Sequence, residues 1–337
     1  LPRFLEGLKK EISFQKNVFS QSFDTIYIGG GTPTLLKEKD MELIFAEIFK
    51  RLKIQNGAEI TIESNPCDID MGKAKFLKDL GVNRIVLGIQ SLKDKFLKFL
   101  GRRHSPTQAL RAYEILRKSG FENIGIDMIY GIPGQSLTEW FEDLKEIIRL
   151  DPEHISCYEL TFEKKTRLWN LFCSGKIMPV DEDKKADFFM QTSAFMESKG
   201  YVHYEISNFA KTEYYVSKHN LKYWMQIPYL GLGPSAHSFD GRRRWWNLSS
   251  LKKYYEKLNS GLLPIEAVEE LSEEQIRIER LFLGLRTCYG VEASVCKVSK
   301  DMLDLLEKEG LIRISKERII PTKKGFSLAD QLASYLV

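Results

Sequence analysis

Cysteine is scarce in this chain and poorly placed for chemistry. Cys67, Cys157, Cys173, Cys288 and Cys296 are odd in number, scattered, and never spaced C-x-x-C or C-x-x-x-C. That spacing excludes a disulfide framework and a zinc knuckle, leaving thiols that behave as small buried hydrophobes. No apolar run approaches the roughly 18 residues a membrane span requires. Leu1-Pro2-Arg3-Phe4-Leu5-Glu6 lacks a signal-peptide pattern, so a cytoplasmic protein without stable membrane insertion is expected. Lysine and arginine number 50 against 46 acids, a net charge of +4 that singles out neither nucleic acid nor an anionic membrane. Internal repeats and low-complexity segments are also missing. What remains over 337 residues is 43% apolar and 28% charged, enough for one large domain with a sizeable core and a smaller one.

The most telling segment is Gly29-Gly30-Gly31-Thr32-Pro33, which follows the apolar run Thr25-Ile26-Tyr27-Ile28. Adjacent glycines weaken a fold, so a run of them at a strand end implies close approach to the backbone by a ligand. Met41, Ile44, Phe45, Ile48, Phe49 and Leu52 then form the apolar stripe of an amphipathic helix. The alternation continues with a strand over Ala58 to Ile62, a helix over Met71 to Leu80 and a strand over Arg84 to Ile89. Ser105-Pro106 opens a further helix that Gly120 closes, before the strand Asn123 to Met128. Ser136-Leu137-Thr138-Glu139 is a capping box, and His154 to Leu160 is the next strand. Strands and helices in this order predict an α/β fold with parallel pairing, either a TIM-like barrel or an open doubly wound sheet.

Gly29, Glu63, Gln90 and Asp127 each fall at the end of a different strand and would converge on one mouth. The loop is no phosphate cradle: it lacks the lysine and Ser/Thr of a P-loop and does not match G-x-G-x-x-G. Two carboxylates, an amide and the guanidinium of Arg102 instead suit a zwitterionic ligand with a ribose. Asp127 or Gln90 can take ribose hydroxyls, and Arg102 can pair with a carboxylate. An amino-acid nucleoside meets that inventory.

Farther on, Tyr201 to Gly241 reads as a loop-rich connection with a possible helical turn at His219. Helices over Leu271 to Arg286, Asp301 to Glu309 and Ser327 to Leu336, with a hairpin over Leu311 to Pro321, give a small winged-helix-like module. Its lysines alternate with glutamates, so no nucleic-acid partner is expected. Arg242-Arg243-Arg244-Trp245-Trp246 is read as a solvated hairpin tip, although its charge also suits the carboxylates of an anionic ligand.

Tyr27-Ile28-Gly29-Gly30-Gly31-Thr32-Pro33, Glu63-Ser64-Asn65-Pro66, Gly88-Ile89-Gln90-Ser91, Leu100-Gly101-Arg102 and Asp127-Met128-Ile129-Tyr130-Gly131-Ile132-Pro133-Gly134-Gln135 resemble the oxygen-independent coproporphyrinogen III oxidase family of radical S-adenosylmethionine proteins. Tyr204-Glu205-Ile206-Ser207-Asn208 extends the match over nearly the whole chain. The resemblance implies an incomplete (β/α)6 barrel with a C-terminal helical domain. It also implies that Gly30, Gly31, Thr32, Glu63, Gln90, Arg102 and Asp127 contact S-adenosylmethionine. It divides the chain into a partial barrel over 1–200, a connecting and heme-contact segment over 201–265 and a helical domain over 266–337.

The family has two branches, the oxidases and the HemW-type heme chaperones. His219-Asn220-Leu221-Lys222-Tyr223-Trp224 looks like the H-N-x-x-Y-W signature of the chaperones. The resemblance then implies heme or porphyrin as ligand, His219 as a heme contact with His237 a weaker candidate, a heme-acceptor protein and an electron donor. His104 is either loop packing or part of the site, and His154 and His203 are read as structural. The resemblance further implies a [4Fe-4S] cluster, whose C-x-x-x-C-x-x-C motif does not occur in this sequence and is expected upstream of Leu1. Two alternatives stand beside the chaperone. One is an oxidase that converts coproporphyrinogen III to protoporphyrinogen IX in porphyrin biosynthesis, by oxidative decarboxylation of propionates. The other is a barrel acting on an unrelated phosphorylated metabolite.

Overall fold

The structure is a computed structural model that describes residues 2–15 and 22–337. Helix α1 (Pro2–Gln15) precedes strand β1 (Phe23–Ile28), helix α2 (Glu38–Arg51), strand β2 (Ile54–Ser64), helix α3 (Met71–Asp79) and strand β3 (Arg84–Gln90). Helices α4 (Asp94–Phe99) and α5 (Pro106–Lys118) lead to β4 (Ile124–Tyr130), and α6 (Leu137–Arg149) leads to β5 (His154–Glu159). The capping boxes expected from sequence both close: Ser105 with Gln108 starts α5, and Ser136 with Glu139 starts α6. Each such cap satisfies amides that the first helical turn leaves free, worth about 1 kcal/mol. Gly81 and Gly120, just past α3 and α5, have φ of 94° and 85°, the left-handed C-terminal position that only glycine takes without cost.

Helices α7 (Arg167–Cys173) and α8 (Glu182–Ser198) precede the short strands β6 (Val202–Glu205) and β7 (Asn208–Ala210). One sheet runs in the order β1-β2-β3-β4-β5-β7-β6. The first five strands pair in parallel, and β7 and β6 are antiparallel. This is the incomplete α/β barrel anticipated from the sequence. Its last two strands lie within the stretch read as loop. They were hidden because they span four and three residues, too short for a period-two pattern to register.

Alternation along the parallel strands divides the sheet's two faces. Ile60, Ile62, Ile85, Leu87, Ile89, Ile124, Ile126, Met128 and Ile155 face the helices with Met41, Phe45, Leu116, Trp140 and Leu144 as one buried cluster. Full burial of such a side chain stabilises by roughly 1.5–3 kcal/mol. The opposite parity is polar: Thr25, Tyr27, Glu59, Thr61, Glu63, Arg84, Asp127, His154 and Ser156. The α2 stripe is narrower than expected, since Phe49 is 47% exposed and of its apolar residues only Met41, Phe45 and Ile48 are buried, with Ile44 and Leu52 packed at the edge.

Helix α9 (Lys218–Trp224) returns to pack on β1. Strands β8 (His237–Phe239) and β9 (Arg243–Asn247), helix α10 (Leu251–Asn259) and strand β10 (Ile265–Glu270) follow, the strands forming a three-stranded antiparallel sheet. The remainder is α11 (Glu273–Gly284), β11 (Val291–Glu292), α12 (Lys300–Lys308), the hairpin β12 (Ile312–Ser315) and β13 (Arg318–Pro321), α13 (Lys323–Ser327) and α14 (Ala329–Leu336). The final helix expected over Ser327 to Leu336 is α14, and the short α13 precedes it across Leu328. Leu281, Leu285, Ile312, Ile319 and Leu332 form this module's own core. Among the described residues no helix is long and apolar enough to cross a membrane.

Candidate functional site

The three glycines after β1 serve different purposes. A Cβ on Gly29 would lie 2.8 Å from the Tyr27 ring and 2.9 Å from Glu63 Oε1, so this position is glycine for want of space. Gly30 and Gly31 have φ of 85° and 67° with open space around them, so they are glycine for conformation. Glu63 at the end of β2 accepts from Tyr27 OH at 2.8 Å and from the Gly30 amide at 3.2 Å. The carboxylate therefore sets the loop's shape as well as standing at its rim. Thr32 is half-buried and precedes a single helical turn over Pro33–Leu35.

Gln90 ends β3 with φ 73°, a left-handed conformation that glutamine seldom takes, beside a register shift at Gly88. Such strain gathers where backbone and side chain are aimed at a ligand. Asp127 pairs in register with Gly88 on one side and Ser156 on the other. Its Oδ1 atom is sealed from solvent and has no hydrogen-bond partner. Burial pushes its carboxyl up to about 6, and the charge of Glu63 adds to the rise against Ser156, Arg84 and Arg102. The Arg102 backbone amide donates to the Leu97 carbonyl at 2.8 Å, but its guanidinium makes no ion pair or hydrogen bond among the described residues. Burial lowers its pKa, with Asp127 opposing. The structure thus gathers Gly30, Gly31, Glu63, Gln90, Asp127 and Arg102 around the carboxyl ends of β1 to β4, with buried polar groups unspent.

His219 lies on the first turn of α9, four residues before Tyr223 on the same face, as the spacing of the two predicts. Glu59 of β2 accepts from the amides of Lys218 and His219 at 3.3 and 3.1 Å, fixing the helix start against the sheet. The imidazole stacks on Tyr27 with centroids 5.0 Å apart. Its Nδ1 meets Thr25 Oγ1 at 2.8 Å and its Nε2 meets Tyr223 OH at 2.9 Å. Burial, with Lys222 adding, lowers its pKa to about 4, so the ring is neutral at physiological pH. Tyr223 is 40% exposed, and the Nε2 side is the one that opens outward.

A cavity of about 610 Å³ runs from the glycine loop and Glu63 to the residues around His219. Gly29, Gly30, Thr32 and Glu63 line one part; Tyr27, His219, Tyr223, Tyr229 and His237 line another, and apolar residues of α1, α2 and β1 complete it. That volume falls within the roughly 300–1,000 Å³ typical of small-molecule sites. His237 is exposed and stacks on Trp246 at 5.7 Å. The other histidines are internal. His104 Nε2 lies 2.9 Å from the Ile89 carbonyl and supports the strand beneath Gln90, His154 contacts Tyr204 OH at 2.7 Å, and His203 contacts Ser193 at 2.9 Å.

Arg242, Arg243 and Arg244 are paired with Glu270, Asp240, and Glu269 plus Glu279, respectively. Arg242 and Arg243 are exposed at the turn from β8 into β9, in keeping with the hairpin tip read from sequence, whereas Arg244 and the buried Trp245 belong to the sheet. Thr25, Tyr27 and Glu59 were missed as site residues. Their period-two alternation with Ile26, Ile28 and Ile60 was the available signal. Among the described residues no group of three His, Cys, Asp or Glu side chains is placed to hold a metal ion.

Residues 5–147 match the model of the Radical SAM superfamily. Over 340 aligned residues the chain is 35% identical to the heme chaperone HemW of Bacillus subtilis (strain 168), covering 98% of this chain and 89% of that protein. It is 34% identical to the heme chaperone HemW of Lactococcus lactis subsp. lactis (strain IL1403), covering 93% of this chain and 85% of that protein. The structure is also similar to coproporphyrinogen III oxidase (HemN) from Escherichia coli, with TM-score 0.84 and 22% identity over 99% of this chain and 82% of the other. At that identity the likeness speaks for the fold.

Proposed function

The chain belongs to the HemW heme-chaperone family within the radical SAM superfamily, and on that premise we propose that it binds heme and S-adenosylmethionine and passes heme to an acceptor protein. One observation carries the reading: the glycine loop and His219 line a single cavity. A nucleoside at the strand ends and a tetrapyrrole beside α9 would then be neighbours.

The strand-end residues fit S-adenosylmethionine by their unspent chemistry. Asp127 Oδ1 lacks a partner and takes a hydroxyl proton of the ribose or a ligand cation. Arg102 supplies a free guanidinium for a carboxylate. Gly30 and Gly31 leave open backbone, and Gln90 presents its amide from a strained position. Bound S-adenosylmethionine supplies a sulfonium that one-electron reduction can cleave. The described residues do not fit a [4Fe-4S] cluster, for no three ligands converge, and the cluster is given no place on them.

Heme is cargo, and His219 is its contact. Thr25 accepts from Nδ1–H, which leaves the Nε2 lone pair guarded by the Tyr223 hydroxyl. This is the arrangement that orients a histidine for metal, with one nitrogen anchored and the other presented. Lowering of the ring pKa to about 4 keeps that lone pair free of protons at neutral pH. Iron must displace the Tyr223 hydroxyl, and the apolar wall of the cavity takes the macrocycle. Titration of heme into the protein, followed by absorption spectroscopy, tests this. Saturable binding weakened at least tenfold by His219→Ala, with S-adenosylmethionine affinity unchanged, is expected. Unchanged heme spectra and affinity in that variant would remove His219 from the site.

A further inference from the structure

The polar face of the sheet carries a second set of side chains that the strand-end residues do not use. Arg84 opens β3 and His154 opens β5, each 1% exposed. Between these strands lies Gly125 of β4, in register with Val86 and His154. A Cβ on Gly125 would stand 3.4 Å from Arg84 Nη2 and 3.5 Å from His154 Nδ1. Both side chains therefore turn toward the space that this glycine leaves. Arg84 Nε and Nη1 and His154 Nδ1 have no hydrogen-bond partner, nor does the hydroxyl of Thr61, which is paired in register with Arg84.

The protons can be placed. The Ser217 amide donates to Tyr204 Oη at 3.3 Å, and that phenol lies 2.7 Å from His154 Nε2. Tyr204 has no other acceptor among the described residues, so it donates to Nε2. Burial and the charge of Arg84 hold the imidazole neutral, which puts its own proton on Nδ1. The three unpartnered nitrogens are thus all donors, and they call for acceptor oxygens. The chain's carboxylates do not answer. Glu59 is taken by the start of α9, Glu63 by Tyr27 and Gly30, and Asp127 makes no ion pair with Arg84. Asp127 and Arg84 feel each other's charge, but a buried guanidinium whose donors are left unmade is still costly.

We propose that Arg84 and His154 form a carboxylate-binding site on the floor of the sheet, with Gly125 keeping its space open. A carboxylate offers two acceptor oxygens to a fork of guanidinium donors and has lone pairs left for Nδ1–H. A tetrapyrrole propionate and a small free carboxylate share this chemistry. The site itself rests on the geometry and not on the heme reading.

Acetate is the probe. Titration of 13C-acetate followed by NMR should saturate, and crystals grown in acetate should show its oxygens on Arg84 and His154. Gly125 has no positive φ, and its added methyl would meet ordinary contacts. Gly125→Ala should therefore fold with nearly unchanged thermal unfolding and weaken acetate at least tenfold, as should Arg84→Met. Water alone on Arg84 in acetate-grown crystals, or wild-type acetate binding by Gly125→Ala, would overturn the site. Gly125→Ala also sorts the source. A loss for heme but not its dimethyl ester assigns the propionate. No loss for heme confines the site to small carboxylates. Failure of the wild-type protein to bind heme would remove the heme function and leave the acetate result standing.

Discussion

Alanine and asparagine placed in turn at Gly29, Gly30 and Gly31 should reverse their rank along the loop. At Gly30 and Gly31, with φ of 85° and 67° and nothing near a new Cβ, the cost is conformational. An alanine in the left-handed region costs about 1–2 kcal/mol, and asparagine, which visits that region more readily, costs less. At Gly29 the backbone is ordinary and the cost is steric. The new Cβ meets the Tyr27 ring at 2.8 Å and Glu63 Oε1 at 2.9 Å. Overpacking of this kind costs about 1–3 kcal/mol, and displacing Glu63 also forfeits its bonds to Tyr27 and Gly30, about 0.5–1.5 kcal/mol each. Gly29→Ala should therefore lose about 2–6 kcal/mol, and the larger Gly29→Asn should be worse. Urea unfolding of the ligand-free protein measures all six variants. If alanine outranks asparagine at Gly30 and Gly31, or if Gly29→Ala matches the wild type, the division of labour among the glycines is wrong.

Further expectations concern charge. Folded Asp127 titrates near 6 against an ordinary value of 3.8, so the fold favours its protonated form and loses that stability as pH rises through about 6. Asp127→Asn should then stabilise by up to about 3 kcal/mol near pH 8, at about 1.4 kcal/mol per unit, and give no gain below about pH 4; equal gains in urea unfolding at both pH values would refute this. Arg102→Ala should weaken S-adenosylmethionine by about 1.5–3 kcal/mol if its guanidinium meets the carboxylate, and calorimetry showing no loss would reject that role. Glu11 is fully buried and accepts from the Gly233 amide at 2.8 Å, from Tyr254 OH at 2.6 Å and from Asn247 at 2.5 Å. Glu11→Ala strands those donors and should cost at least about 3 kcal/mol in urea unfolding; a loss under 1 kcal/mol would show that water replaces the carboxylate.

Local chemistry was readable from the chain and distant pairing was not. The caps at Ser105 and Ser136 and the glycine stops at Gly81 and Gly120 act within a few residues of themselves, so sequence spacing determines them. His219, by contrast, takes its anchors from Thr25, 194 residues away, and from Glu59, 160 residues away. No periodicity announces contacts of that kind. The three arginines from Arg242 look like a basic patch until β10 and α11 bring Glu269, Glu270 and Glu279 beside them. Arg84 passes for an ordinary strand-opening residue, because its neighbours Ile85, Val86 and Leu87 mark the strand as core. Only the three-dimensional placement of Gly125 and His154 shows that its side chain turns inward without a partner.

The central claim is that heme is carried and not made here, and one anaerobic experiment addresses it. The full-length protein, reconstituted anaerobically with iron and sulfide and supplied with S-adenosylmethionine and reductant, is offered heme in one arm and coproporphyrinogen III in the other. Stoichiometric heme binding with no formation of protoporphyrinogen IX is the expected result. Decarboxylation at enzymatic rates, with heme left unbound, would contradict it.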